Sequence, residues 1–450
     1  MFANVPQIIS QFKRIWTYEL DDEAIQAACR EAGHCWRERQ LGPVRTVKMF
    51  LLQILFGNVA CNAVPHLAGV KVTGSAFCEA RARLPLAALQ TLLTRCTRQM
   101  AKAASGASRW LGHRLLIIDG SSFSMPDTPE LGAHFGHPPN QKRGCGFPTA
   151  RWLAVMHFGS GLIEKVMTAP WRSHDYSLIK QVHPELEAKD VLIGDRAYSS
   201  FVHLALLVSR RLHGIFRAHQ LLILDFAPHR AHVPPKKKNP KRQPRSRWLK
   251  SLGKEDQLVE WYKPHSKVPA WLSKRIWKRL PQTLVVRELR YTIARPGFRV
   301  RRVDLVTTLL DPLRYPKEKL AEAYGLRWTV ETAFDHLKTT MKMDVLHCQT
   351  VEGVLKELTM FVLVYNLVRM TMLEAARRQG VAPDRISFAD ALRWLATAQA
   401  SDVLPNLIVI PIRPGRVEPR CIKRHPKRFR GLDQPRHRLR QLLLQQRLEA

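Results

Sequence analysis

The first hundred residues are patterned for helices. Val47 to Val59 is apolar around one face, and Leu84 to Met100 repeats leucine at helical spacing. Between them VTGSAFCEARARLP offers Thr73 or Ser75 as a helix cap, with Arg81 and Arg83 expected on the exposed side. Such a stretch suits a small helical DNA-binding module, and equally the solvated basic helix of a structural domain. From Arg114 the periodicity changes to short β-type runs: LLIID, RWLAVMHF, GLIEKVMTA and, after a helical stretch, DVLIGD. From Gln282 to Leu310 β-branched residues dominate again, which predicts a small β-rich insertion before the next helix. After Pro316 the pattern is helical to about Arg378. The chain therefore reads as α/β, with a strand-rich core behind a helical N-terminal part.

At 450 residues the chain exceeds what one core usually serves, and its 45% apolar content is ample for two or three units. Charge changes the picture more. There are 72 Lys and Arg against 37 Asp and Glu, a formal charge of +35. That excess repels itself unless a polyanion neutralises it, and nucleic acid is the natural partner. Residues 234–250 (PPKKKNPKRQPRSRWLK) carry eight Lys or Arg and no acid, with prolines that predict an exposed basic loop. The tail from Arg413 to Arg440 adds eleven Lys or Arg against two acids, a DNA-gripping arm or a solvated terminus. An acidic membrane surface is the competing partner, but the N-terminus lacks the apolar core of a signal peptide. The most apolar run, Met360 to Val368, is too short to span a bilayer, with Asn366 inside it and Arg369 directly after it. A cytosolic protein without a membrane partner is expected. The eight cysteines form no C-x-x-C pair, so reduced thiols are expected. His134, His137 and Cys145 could ligate a metal, yet loop histidines more often face solvent, and no zinc site is expected there.

The candidate chemistry lies in carboxylates. Asp119 directly follows the buried-strand run Leu115 to Ile118, and Asp195 ends VLIGD in the same way, with Gly120 and Gly194 beside them. In YGLRWTVETAFDHLK, taken as one helix, Tyr324, Arg327, Glu331, Asp335 and Lys338 fall within an arc of about 80°. Trp328, Val330, Phe334 and Leu337 then lie elsewhere, where they can pack on a core. A surface helix laced with ion pairs shows the same spacing, which would make Arg327 and Lys338 mere partners of Glu331 and Asp335. Two acids at strand ends with a third on a helix, however, are the oxygen ligands that two hard cations need.

These residues resemble the insertion sequence 4 family of DDE transposases. Its third acid stands in a pattern of Tyr, two residues, Arg, three residues, Glu, six residues, Lys, which Tyr324, Arg327, Glu331 and Lys338 match. DGSSFSMPDTPE, GDRAYSS, YNLVR and RVEPRCIKRHPKRF extend the resemblance over most of residues 60–430. It implies a ribonuclease-H-like mixed sheet with flanking helices, interrupted by a β-rich insertion. The expected units are an N-terminal helical DNA-binding domain (1–108), a catalytic domain (109–378, insertion at about 215–310) and a basic C-terminal region (379–450). Asp119, Asp195 and Glu331 would hold two divalent ions, magnesium with manganese as a substitute, for cleavage at transposon ends and strand transfer. Arg327, Lys338 and Tyr324 would bind DNA phosphates. The implied partners are duplex DNA with terminal inverted repeats, target DNA and a second copy of the chain, in the bacterial cytoplasm at the nucleoid. Some relatives stack a flipped base on an aromatic of the insertion, for which Trp271, Trp277, Tyr291 and Phe298 are candidates. A nuclease that cuts without joining, or a transposase-derived DNA-binding protein without catalysis, are the rival readings.

Overall fold

The computed structural model describes residues 20–37, 39–104, 109–138, 146–173, 176–234, 237–239, 242–265, 268–293, 301–398, 402–411, 434 and 436–448. The Phe298 and Cys145 candidates and nearly all of the basic tail therefore lie outside the described residues.

Among the described residues five helices come first: α1 (Asp22–Glu31), α2 (Pro43–Leu55), α3 (Val64–Ala68), α4 (Gly74–Arg83) and α5 (Leu86–Ala104). Their starts obey capping chemistry. Asp21 accepts from Ala24 N at 2.7 Å, Pro43 opens α2, and Thr73, not Ser75, caps α4 by accepting from Ala76 N at 3.2 Å. Arg81 departs from expectation. It is buried, with its guanidinium 4.6 Å from the Phe50 ring centre and bonded to Gln53 Oε1 (2.6 Å) and Cys348 Sγ (2.9 Å). Only Arg83 of the pair faces solvent, because α4 turns its other side onto α2 and the segment around Cys348.

Among the described residues the sheet has nine strands: β1 (Leu115–Ser124), β2 (Thr149–His157), β3 (Ile163–Pro170), β4 (Val191–Gly194), β5 (His213–Arg217), β6 (Arg247–Gly253), β7 (Asp256–Tyr262), β8 (Thr283–Ile293) and β9 (Arg301–Thr307). Their order is β3-β2-β1-β4-β5-β9-β8-β7-β6. The first three pair antiparallel, while β1, β4 and β5 run parallel. This is a mixed sheet with flanking helices, as expected. The β-rich insertion does not stand apart: β9 pairs antiparallel with β5, so β6 to β9 extend the same sheet as a meander. The stretch at 234–250 is a loop only at first, since the prolines end at Pro244 and Arg247 onward pairs with β7.

Both faces of the central strands are covered, which is why β1 and β4 read as unbroken apolar runs. Leu115 and Ile117 enter one core with α1, α2, α5 and α12 (Val351–Gln379), while Leu116 and Ile118 enter the other with α7 (Tyr176–Val182) and α8 (Phe201–Ser209). The apolar run Met360 to Val368 lies in α12, buried through the middle of the first core. Its polar interruptions are matched there: the Asn366 amide pairs with both Ile163 N and O at 2.9 Å, and Arg369 donates to Ser160 O. No helix among the described residues is long and apolar enough to cross a membrane.

Candidate active site

Asp119 lies within β1, which runs on to Ser124 instead of ending at Ile118 as its apolar run suggests. Leu115, Leu116 and Ile117 pair with Val191, Leu192 and Ile193 of β4. Carried two residues on, past the last paired position, that register points Asp119 toward Asp195, which follows the end of β4. Asp195 comes directly after β4 and caps a short turn by accepting from Ala197 N at 2.7 Å. Only glycine fits before it, because a Cβ at Gly194 would stand 2.7 Å from the Tyr198 ring and 3.0 Å from Ile118 Cγ2.

The third acid arrives on a broken helix. The segment expected to be one helix is α10 (Lys317–Gly325), a bend at Leu326 and Arg327, α11 (Trp328–Asp335) and a π-helical turn over His336–Thr340. Consequently the five polar residues do not share one continuous stripe. Tyr324 sits in the helix before the break and is buried, while Trp328 is 53% exposed and does not pack on the core as expected. Arg327, at the bend, keeps its fork on two acids: Nη1 donates to Asp119 Oδ2 at 2.9 Å and Nη2 to Glu331 Oε1 at 2.7 Å. It thereby joins β1 to α11 across 208 positions of sequence. Lys338 projects from the π turn, 3.5 Å from Ser121 Oγ and 3.2 Å from Asp344 Oδ1. Asp335, its supposed partner, instead accepts from Thr339. π turns of this kind often mark functional sites.

Electrostatics show that the three carboxylates share one neighbourhood. Burial pushes the Asp119 carboxyl up to about 6, and the charges of Asp195 and Glu331 push the same way; the Gly120 N–H and Arg327 pull it back only in part. Tyr324 is raised by burial, with Arg327 and Arg217 opposing. Arg217, at the end of β5, Ser121 beside Lys338, and the open Trp328 were not singled out in the sequence. No local spacing ties the first two to the acids, and Trp328 carries the apolar look of a core residue.

The other candidates have different surroundings. His134 packs on Phe135, and His137 Nε2 lies 3.4 Å from Asp127 Oδ1. Among the insertion aromatics, Trp277 lies 4.9 Å from Lys263 Nζ and packs with Trp271 against the second core, while Tyr291 packs against the first. Among the described residues no three His, Cys, Asp or Glu side chains already form a set that could hold an ion, since Asp119 and Glu331 both turn onto Arg327. In donor chemistry the acids nevertheless suit a hard cation: all are oxygen ligands, and Asp195 and Glu331 lie near enough to push the buried Asp119 carboxyl further up.

This sheet, with one acid within β1, one directly after β4 and one on a facing helix, fits a DDE transposase. The profile of the transposase DDE domain family matches residues 110–367, more than half of the chain, which belongs to that family. Membership makes it an enzyme acting on DNA and implies divalent metal use. The chain is 26% identical over 377 residues to the transposase InsG for insertion sequence element IS4 of Escherichia coli (strain K12), covering 80% of this chain and 78% of that one. It is 28% identical over 127 residues to the putative transposase InsZ of the same organism, covering 28% of this chain and 42% of the relative. Among solved structures, a piggyBac transposase synaptic complex with hairpin DNA aligns with a TM-score of 0.46 and 11% identity, over 87% of this chain and 79% of that one.

Proposed function

We propose that Asp119, Asp195 and Glu331 are the catalytic, metal-holding acids with which this transposase cuts DNA at terminal inverted repeats and joins the freed ends to target DNA. The observation that carries this reading is the Arg327 fork. It draws Asp119 and Glu331 from distant elements to one place, where Asp195 is near enough to disturb Asp119. Two magnesium ions, replaceable by manganese, would be held by these three carboxylates. When bound they supply activation of the attacking oxygen and stabilisation of the leaving 3′ oxygen.

The chain's own residues position the DNA. Arg327 presents two parallel donors, a geometry that matches a phosphate as well as the carboxylates it now holds. Lys338 supplies a point charge beside Ser121 on the same side. Tyr324 is buried beneath Arg327, so its hydroxyl steadies that guanidinium and reaches a phosphate only where Arg327 does. The protein acts as a homodimer on paired ends, in the bacterial cytoplasm at the nucleoid.

The test is strand cleavage and strand transfer on a duplex carrying the cognate inverted repeat, with magnesium, manganese or chelator. The wild type should cut and join with either metal, and Asp119→Ala, Asp195→Ala and Glu331→Ala should each bind yet stay inert. Cutting that persists without any one acid would overturn the assignment.

A further inference from the structure

Two of the cations assigned above to DNA phosphates are already seated on carboxylates. Lys338 Nζ lies 3.2 Å from Asp344 Oδ1, an acid outside the catalytic set. Arg327 differs, because both of its partners are catalytic acids: Nη1 bonds Asp119 at 2.9 Å and Nη2 bonds Glu331 at 2.7 Å. These acids belong to separate elements, β1 and α11, and the guanidinium fills the gap between them. A divalent ion that takes oxygen from both has to stand in that same gap, so the fork and the ion exclude one another.

The seat does not satisfy the whole guanidinium. The Arg327 side chain is 12% exposed, and its Nε–H is buried with no acceptor. An unpaired buried donor is costly. A phosphate removes that cost, because its several oxygens can receive the Nε and Nη hydrogens of one edge in parallel bonds. A second observation shows where the side chain has room to turn. The guanidinium carbon lies 5.0 Å from the ring centre of Trp328, which is largely open to solvent. The indole face thus offers the charge continued contact on the way toward DNA.

With the three acids taken as metal ligands, as above, we propose that Arg327 is a built-in counter-cation that regulates the site. It holds Asp119 and Glu331 closed until a DNA phosphate draws it away, and only then are both acids free to accept an ion. Before that exchange an approaching dication meets acids whose charge is already offset, beside a guanidinium of its own sign. DNA and the divalent ion therefore bind cooperatively. Each raises the affinity for the other by the same factor, because coupling between two ligands of one protein is reciprocal. The ions are thereby gathered where a strand is seated, which confines activation of the attacking oxygen to bound DNA. Lys338 strengthens DNA binding without entering the exchange, since its partner Asp344 is not one of the three acids.

The experiment measures manganese binding to the full-length protein by electron paramagnetic resonance, with and without a saturating amount of the element's terminal duplex. The duplex is supplied already cut and with a 3′-dideoxy end, so that nothing is left to cleave or join, and ions held by the duplex alone are subtracted. Wild type should bind manganese at least about tenfold more tightly with the duplex than without it. Arg327→Gln should bind it about tenfold more tightly than wild type in the absence of DNA, and gain little when the duplex is added. A merely structural arginine predicts the opposite sign, since its loss would scatter the acids. Arg327→Lys keeps the charge but gives up the fork, so it should fall between the two, and it decides the matter where the glutamine variant does not fold. Lys338→Ala should bind the duplex more weakly and keep the wild-type coupling. Equal manganese affinity of wild type with and without DNA, or Arg327 variants that bind no more tightly than wild type, overturns the exchange alone. Manganese held equally by Asp119→Ala and wild type, or by neither even with DNA, overturns the three-acid reading and the exchange with it. Failure of wild type to take up the duplex overturns the terminal-repeat reading and the exchange together.

Discussion

Replacing Asp119 with Asn should stabilise the metal-free protein while abolishing its activity. The Asp119 carboxyl is pushed from its ordinary 3.8 up to about 6, first by burial and then by Asp195 and Glu331, with the pull of Arg327 already included. Each pKa unit corresponds to about 1.4 kcal/mol, so keeping this group charged costs the folded state up to about 3 kcal/mol at neutral pH. The side chain is 18% exposed, which leaves little solvent to screen that cost. The sign comes from proton binding. A raised carboxyl pKa means that the folded state holds the proton more tightly than the unfolded chain, so the penalty is full above pH 6 and fades as pH falls toward 4. Asn keeps the shape and removes the charge. In chelator at pH 7.5, Asp119→Asn should raise Tm by several degrees, at about 2–4 °C per kcal/mol for large domains, and the gap should narrow at pH 4.5. Added magnesium should reverse the order, because a ligand that binds only the folded wild type stabilises it by about 2.7 kcal/mol at a hundred times Kd. Calorimetry in the two buffers at the two pH values reads all of this. A variant no more stable than wild type in chelator, or a gap that ignores pH, would refute the reasoning.

Three further outcomes are expected. Burial lowers His183 to about 3 and His203, His213 and His336 to about 4; depressed histidine pKa values mean stability that is present above about pH 6.5 and lost as pH falls toward 4. Urea midpoints should drop between pH 7 and pH 5, by more than Asp119 recovers over the same range, and a flat profile would count against the buried neutral histidines. Gly194→Ala should cost about 1–3 kcal/mol in denaturant unfolding, since its Cβ meets the Tyr198 ring and Ile118 on fixed elements; a loss under about 0.5 kcal/mol would mean that the turn yields. Binding to the terminal duplex should weaken steeply with salt, and Lys338→Ala should reduce the log–log slope by about one; an unchanged slope would take Lys338 off the phosphates.

The strands were legible because physics leaves little freedom there. A parallel strand buried on both faces has to be an unbroken apolar run, and Leu115 to Ile118 and Val191 to Ile193 are such runs. Asp119 and Asp195 were therefore visible as acids attached to them. What could not be read locally is how distant segments complete those strands. β1 continues to Ser124 because β2 pairs with it antiparallel as far as Ser124↔Thr149, and the segment after the π turn closes on its end: Ser124 N donates to Asp344 O at 3.1 Å, and Leu346 N donates to Ser124 O at 2.9 Å. Uniform rotation of about 100° per residue gave Lys338 a place beside Asp335 on one stripe. The bend at Arg327 and the π turn break that stripe, and the pairing at Ser124 then anchors the turn over β1, so that Lys338 meets Ser121. Arg81 shows the same limit, since its burial depends on Cys348, 267 positions away. The spacing from Arg327 to Glu331 survives because those two are bonded within a single turn. The motif thus records a local distance faithfully, while its relation to Asp119 rests on a bond between Arg327 and a strand 208 positions away. A substitution that weakens the Ser124–Leu346 pairing should therefore displace Lys338 before it disturbs Glu331.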